Sequence, residues 1–578
     1  MNLNADQQAA VDCTAARIAC LAAPGAGKTR VLVARVLRLL DARVYPGEIV
    51  CLTFTRKAGR EMRERLEAAG VPGRVTRKLV VSTFHAWAAR LLREFAQDLG
   101  IDPLFTIRDD ADKDDLIRWA GAELGVKHTS PRRLWQNEEV RDRYEQLLRE
   151  AHAIDYDGLE TGLLELLHTD VARTLRDRYQ HVLIDEAQDT SELQQRILDA
   201  LAPRNLFIVG DPGQAIYGFR GAKMEGFIAM TQREGWVVLT LRTNYRSEPD
   251  IVDAATRIGA AMTPPGLVQV AAREHVSSEE GVFIWELETV DEAIETTARD
   301  IQREIWRGAD MADMAVLSPT WAHAEHLAEI LAARGVPGVV ARRASRIWDS
   351  EEARWLVSVL RVAVNRHDHL ALRYAVNAFR VRVPLWQWAR ARAAAASDGS
   401  PVEDHLGDSW EVVRWAVGTA RDAIADPELT GTAAIGLCAT YLVDDLARLH
   451  LSTRADRMGD VVEAVYAWAR PFYAVAERPG VTDFLTWYAT RELADTEAPD
   501  AADQPQLMTI HAAKGLEWSH VWVLGACEGE LPRPSGDVEE QRRLFYVATT
   551  RAKDRCTWVA WGTPSRFFAE ADGRVEVA

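Results

Sequence analysis

Short runs of Val, Ile and Leu recur along the chain with helical stretches between them. They are IACLAA at 18–23, EIVCLTF at 48–54, LVVSTF at 79–84, HVLIDE at 181–186, LFIVGD at 206–211 and WVVLTL at 236–241. Strands that are apolar along their whole length, rather than at alternate positions, are strands covered on both faces, as in a parallel sheet wrapped by helices. A second series follows: GVFIWEL at 281–287, MAVLSP at 314–319, LMTI at 507–510, HVWVLGA at 520–526 and CTWVAW at 556–561. The pattern therefore predicts an α/β protein with two parallel-sheet domains. Two long stretches with little strand character, rich in Ala, Leu, Arg, Trp and Glu, interrupt them and read as helical insertions. The expected organisation is a first α/β domain at 1–89 and 176–278 with an insertion at 90–175, then a second at 279–377 and 504–578 with an insertion at 378–503. The second insertion ends in RELADTEAPDAAD at 491–503, an acidic segment without apolar periodicity that reads as a connector.

Composition narrows the class. At 578 residues the chain exceeds what one core supports, and about 150 residues per domain suggests roughly four units. With 48% apolar and 27% charged residues it falls among ordinary globular proteins. No run approaches the roughly 18 apolar residues that span a bilayer, and the N-terminus MNLNADQQAA lacks a basic-then-apolar leader pattern, so a cytoplasmic protein without a membrane partner is expected. Six cysteines without CxxC spacing lie mostly in apolar runs and read as buried thiols. The net charge of −17 excludes a surface generally coated for nucleic acid; any such contact must be a local track. One local excess exists in Leu52–Leu66, where Arg56, Lys57, Arg60, Arg63 and Arg65 face only Glu61 and Glu64, a pattern that alone also describes a solvated helix face.

The chemistry begins after the first strand. AAPGAGKTR at 22–30 opens a helix, and a glycine-rich turn at a helix N-terminus aims backbone N–H groups and the positive end of the helix dipole at phosphate. Ala23, Pro24, Gly25, Ala26, Gly27 and Arg30 line that turn, Lys28 is suited to the terminal phosphates, and Thr29 to Mg²⁺. The position where the usual pattern starts with glycine is Ala22. HVLIDEAQD at 181–189 ends a strand in two acids: Asp185 suits the cation and Glu186 a general base for the attacking water. The pair, in this order after Gly27-Lys28-Thr29, points to an ATP or GTP hydrolase. A further strand ends in GDPGQAIYGFRGA at 210–222, where Gln214 is placed to sense a γ-phosphate; as a bare pattern it equally describes a glycine-rich turn with core aromatics. The second half has no phosphate loop but contains EEQRRLFYVATTRAKDR at 539–555, and Arg551 is the candidate for a guanidinium donated across a cleft to the transferring phosphoryl group.

Read in order, these segments resemble the UvrD/Rep branch of superfamily 1 DNA helicases. LNADQQAAV at 3–11 is similar to the family's Q motif and sets Gln7 against adenine. NYRS at 244–247 sets Tyr245 for stacking on the base and Arg246 near the γ-phosphate. TIHAAKGLEW at 509–518, containing Glu517 as a further nucleotide contact, and EEQRRLFYVATTRA at 539–552 are similar to its motifs V and VI. The resemblance runs from residue 3 to about 565. It implies two RecA-like domains with ATP and Mg²⁺ between them, single-stranded DNA across their tops, 3′ to 5′ motion, and action at DNA junctions with a 3′ tail. TFTRKAGREM at 53–62 and STFHAWAARLL at 82–92 resemble motifs Ia and Ib, so that Thr53, Phe54, Thr83, Phe84 and His85 join Tyr217, Phe219, Arg220, His511 and Lys514 at the DNA. Aromatic platforms with backbone-neutralising charges are what a single-strand track needs, although each aromatic is also a fair core residue. On this pattern, ATP draws Arg246 and Arg551 onto the γ-phosphate and closes the cleft, and hydrolysis reopens it.

Three departures are visible. Phe219 stands where the family commonly carries tryptophan, AVLSPTWAH at 315–323 lacks the usual aromatic-arginine pair, and 378–503 is a short accessory insertion. Two other readings stand beside a helicase: a translocase that strips bound proteins with little unwinding, and a non-motor switch gated by ATP. No residue pattern names a repair, recombination or nuclease partner.

Overall fold

The computed structural model describes residues 2–571 apart from 128–129, 219–223, 276–280, 337, 341–346, 379–382, 427–428, 430–432, 441–451, 470–479 and 491–503. Its strands, in chain order, are β1 (Arg17–Ala22), β2 (Ile49–Leu52), β3 (Val80–Ser82), β4 (Thr106–Arg108), β5 (Ala153–Asp155), β6 (His181–Ile184), β7 (Asn205–Gly210), β8 (Val237–Leu241), β9 (Thr243–Asn244), β10 (Val270–Ala271), β11 (Val282–Leu287), β12 (Met314–Ser318), β13 (Val339–Val340), β14 (Gln506–Thr509), β15 (Trp518–Leu524) and β16 (Ala552–Trp561). The chain divides into two units. One comprises Met1–Phe84, Ala172–Ala344 and Glu492–Ala578, the other His85–Val171 and Ser345–Arg491.

The first unit holds two six-stranded sheets, ordered β3-β2-β6-β7-β1-β8 and β11-β16-β15-β12-β14-β13, with every pairing parallel. The reason is legible in the burial pattern: β2 is buried at every position, and β6 and β7 at all but their first. Strands wanted dry on both faces need a helix over each face, and right-handed crossovers supply them. Each apolar run read from the sequence overlaps one of these strands. The short pairs β4–β5 and β9–β10, and β13, did not announce themselves, because two or three residues are too few to display a period. In the first sheet β6, β7 and β1 are neighbours, so the loops leaving their carboxyl ends converge, the place where open parallel sheets bind ligands.

The second unit is mainly helical. Its larger core gathers Trp355, Leu356, Leu360, Trp388, Phe484 and Tyr488. The helices Glu351–Val364 and His369–Ala378, grouped by the sequence with the second sheet, pack in this unit instead. Charge explains why. Arg108 pairs with Asp368, Thr106 Oγ1 donates to the same carboxylate at 2.6 Å, and Arg361 reaches Asp112 at 2.7 Å. Buried ions need such partners, and here the partners lie some 250 residues away in sequence. No described helix is long and apolar enough to cross a membrane. The six cysteines are free thiols, five of them buried and Cys13 half-buried.

Candidate functional site

The turn after β1 leads straight into the helix Lys28–Asp41. Gly25 and Gly27 both take positive φ, 67° and 82°, which glycine alone adopts without strain. Space also demands glycine: a Cβ on Gly25 would lie 2.4 Å from Asn244 Oδ1, and one on Gly27 2.9 Å from Gln7 Nε2. Ala22, the departure noted above, is the last residue of β1 and is wholly buried in the sheet core, where a methyl group has neighbours to pack against. Gln7 is fixed by the capped helix Ala5–Asp12: Asn4 Oδ1 accepts from the Gln7 N–H at 2.8 Å, and Gln7 Nε2 donates to the Ala26 carbonyl at 3.0 Å. Asn4 Nδ2 also donates to the Tyr245 hydroxyl at 2.7 Å, while the Tyr245 N–H reaches the Gly25 carbonyl at 3.0 Å. Gln7 and Tyr245 thus flank the glycine turn, and Tyr245 keeps an open face, 42% exposed. Thr29 lies half-buried in the helix's first turn, and Arg30 is exposed.

Asp185 follows β6 and its N–H extends the ladder to the Leu52 carbonyl at 2.9 Å. Glu186 has φ 50°, a left-handed conformation costing a non-glycine residue about 1–3 kcal/mol and typical of working sites. Lys28 Nζ lies 3.5 Å from Glu186 Oε1. Burial and the adjacent Glu186 push Asp185 up to about 7. Burial also opposes ionisation of Glu186, but Lys28, Lys514 and a hydrogen bond from Gln188 prevail and hold it at about 2. Two acids side by side thus have opposite proton affinities. Gln188, wholly buried, ties the two loops: its Nε2 donates to Glu186 at 2.7 Å, and its Oε1 accepts from the Asp211 N–H at 3.0 Å. Asp211, at the end of β7, accepts from Gln214 Nε2 at 2.8 Å.

The second sheet contributes from the opposite side. Arg551 lies at the turn between the helix Val538–Thr549 and β16 and is 1% exposed. Its Nε donates to the Val547 carbonyl at 3.0 Å and one Nη2 to Gln214 Oε1 at 3.2 Å. Burial and the nearby Arg246 lower it to about 9, which leaves it charged at neutral pH. Arg246 donates to Glu517 at 2.6 Å and to the Thr550 carbonyl at 3.0 Å. Lys28, Glu186, Gln214, Arg246 and Arg551 are therefore gathered around one crevice within the first unit.

The residues expected at DNA are arranged differently. Phe54 stacks on Tyr217 with ring centroids 4.8 Å apart, and Tyr217 is only 4% exposed. Its hydroxyl faces the His511 carbonyl at 3.4 Å, and Lys514 Nζ lies 4.8 Å above its ring. Thr53, Thr83 and Phe84 are buried. His85 belongs to the second unit, 3.3 Å from Glu160. Phe219 and Arg220 lie outside the described residues. Lys514, expected at DNA, donates its ammonium to Asp189 at 2.5 Å and to the Gln214 carbonyl at 2.7 Å, with the side chain 6% exposed. Asp189, buried and pushed up to about 6 by desolvation against the opposing pull of Lys514, needs that cation. No local pattern in the sequence singles out Asp189, Gln188 or Asp211. A strand ending in an acid, as at Asp185, was the one available signal for Asp211.

Two family models match the chain. The UvrD/REP helicase N-terminal domain covers residues 3–130 and 121–234, and the UvrD-like helicase C-terminal domain covers 239–400 and 443–560. Among curated proteins, the chain is 26% identical over 615 aligned residues to the ATP-dependent DNA helicase PcrA of Staphylococcus aureus (strain MRSA252), covering 96% of this chain and 82% of the relative. It is 27% identical to PcrA of Staphylococcus epidermidis (strain ATCC 12228 / FDA PCI 1200) over the same shares. The two models divide between the halves that supply the glycine turn and the facing guanidinium, and the chain belongs to the UvrD/Rep-type superfamily 1 ATP-dependent DNA helicases.

Proposed function

We propose that the chain is a motor that hydrolyses ATP to move 3′ to 5′ along single-stranded DNA and to open duplexes bearing a 3′ tail, acting on cytoplasmic DNA. In this reading the two sheets are its RecA-like domains and the helical insertions its accessory parts. The turn Ala23–Arg30 holds the phosphates, with Lys28 on the terminal pair. Gln7 and Tyr245 hold the adenine, and Glu517 orients Arg246.

Thr29 and Asp185 suit Mg²⁺: both offer hard oxygen donors, and no basic side chain lies within ion-pair distance of the buried Asp185 among the described residues. When bound, the cation neutralises charge on the phosphate oxygens. Glu186, held ionised, accepts the proton of the attacking water. Gln214, Arg246 and Arg551 stabilise the phosphoryl group in transfer. The Phe54–Tyr217 stack and the Lys514–Asp189 pair are then contacts that open as Thr53, Phe54, Thr83, Phe84, His85, Tyr217, Phe219, Arg220, His511 and Lys514 engage the strand.

The observation that carries this reading is the 3.2 Å bond from Arg551 to Gln214, which joins the loop carrying the γ-phosphate sensor to an arginine from the other sheet. The test is ATP hydrolysis with and without single-stranded DNA, followed by fluorescent duplexes with 3′ or 5′ tails. Strand-stimulated turnover and opening of the 3′-tailed duplex are expected. Hydrolysis indifferent to DNA would favour a switch, and turnover without strand separation a translocase.

A further inference from the structure

The backbone of Arg246 is held by a side chain that lies outside every motif. β10 pairs with β9 so that Val270 lies beside Thr243 and Ala271 beside Asn244, and the Ala272 N–H extends the ladder to the Asn244 carbonyl at 2.8 Å. Arg273 comes next and so arrives level with Arg246. Its Nη1 donates to the Arg246 carbonyl at 2.6 Å and to the Lys553 carbonyl at 3.1 Å, and its Nη2 donates to Asp554 Oδ1 at 2.6 Å. Lys553 and Asp554 stand near the start of β16, directly after Ala552 and the candidate Arg551. One half-buried guanidinium therefore joins the segment that follows β9 to a strand of the second sheet.

Other bonds run alongside it. Ser247 Oγ donates to the Ala552 carbonyl at 2.6 Å, and the Glu248 N–H to the Lys553 carbonyl at 2.8 Å. What Arg273 adds is charge. The carbonyl oxygens of Arg246 and Lys553 both turn toward one nitrogen, an arrangement that a cation favours and that its loss would leave as two negative dipole ends facing each other. On its other side, the Arg246 N–H donates to Asn244 Oδ1 at 2.8 Å. With N–H and carbonyl both held, the Arg246 side chain leaves from a fixed point. It runs to Glu517 at 2.6 Å and to the carbonyl of Thr550, the residue before Arg551, at 3.0 Å.

We propose, on the reading of this crevice as the ATP site, that Arg273 is a positioning residue for hydrolysis. It holds Arg246 and the start of β16, and with them the two guanidiniums aimed at the phosphoryl group, at one spacing. Arginine suits the task because its planar fork presents several N–H donors in fixed directions, enough for two carbonyls and a carboxylate at once. Spacing matters here, since a misplacement of about 1 Å costs on the order of 100-fold in rate.

Arg273→Met keeps an unbranched stem and removes every donor. The expected result is a fall in kcat for DNA-stimulated hydrolysis of roughly tenfold, with KM for ATP within about twofold and an unchanged melting temperature. A residue that acts through Arg246 has nothing to act on once that guanidinium is gone. In an Arg246→Ala chain, adding Arg273→Met should therefore change the residual hydrolysis, followed by release of radiolabelled phosphate, by less than about twofold. Full kcat in Arg273→Met, or an equal loss with and without Arg246, would overturn the positioning role. An unaltered chain that hydrolyses no ATP would instead remove the site assignment, and the role with it.

Discussion

At the scale of single residues, the crevice works by giving neighbouring groups opposite tasks. Asp185 and Glu186 adjoin in sequence, yet Glu186 is turned into a left-handed conformation that carries its carboxylate to Lys28, while Asp185 is left among buried strands. Lys28→Ala is expected to abolish measurable ATP turnover; normal hydrolysis would dissociate the glycine turn from the chemistry. Arg551→Ala should retain nucleotide binding, measured by fluorescence of a labelled ATP, while hydrolysis falls by about 10³–10⁵. An unchanged rate would mean that another guanidinium completes the site. These residues could be read in advance because a phosphate turn, a strand-end acid pair and an arginine after a helix are local patterns, each written within ten positions. Gln188 could not be: an amide has no signature of its own, and Asp211, whose N–H it accepts, lies 23 residues away.

At the scale of elements, two buried charge contacts make distinct predictions. The loop after β14 is held to the loop after β6 by Lys514 and Asp189. Removing one partner strands the other in a dry setting, so Lys514→Ala is expected to cost about 3–5 kcal/mol in denaturant unfolding. Lys514→Met combined with Asp189→Asn should recover much of that loss. The helix His369–Ala378 begins with a buried imidazole whose Nε2 has no partner. Burial, reinforced by Arg392, holds His369 well below 6.5. A base depressed in the folded state contributes its full stability above the unfolded value near 6.5 and loses it as pH falls below that, at up to about 1.4 kcal/mol per unit. His369→Asn should therefore flatten the decline of stability between pH 6.5 and 5; an unaltered slope would place the proton uptake elsewhere. The strands were legible because continuous apolarity survives translation into sequence, whereas the assignment of Glu351–Val364 to the helical unit depended on ion pairs such as Arg361 with Asp112, which no periodicity encodes.

At the scale of the whole molecule, a net charge of −17 sets the terms on which DNA is met. Affinity gathered along a narrow track releases few counterions, so log Kobs for single-stranded DNA against log salt is expected to have a shallow slope of about −2 to −4, corresponding to three to six phosphates at roughly 0.7 each. A slope near zero would argue for stacking alone. A much steeper one would require basic surface that the composition does not offer.

The second unit is assembled from two separate stretches of chain, His85–Val171 and Ser345–Arg491, whose buried guanidiniums and carboxylates answer one another. Neither stretch is self-sufficient. Excising the later one to make a minimal motor would leave Arg108 and Asp112 facing water without their counter-ions and Leu116 and Ile117 without Leu370 to pack against. Streamlining this enzyme by deletion therefore means removing both stretches at once or neither, and lineages that shed one are expected to have rebuilt the abandoned face.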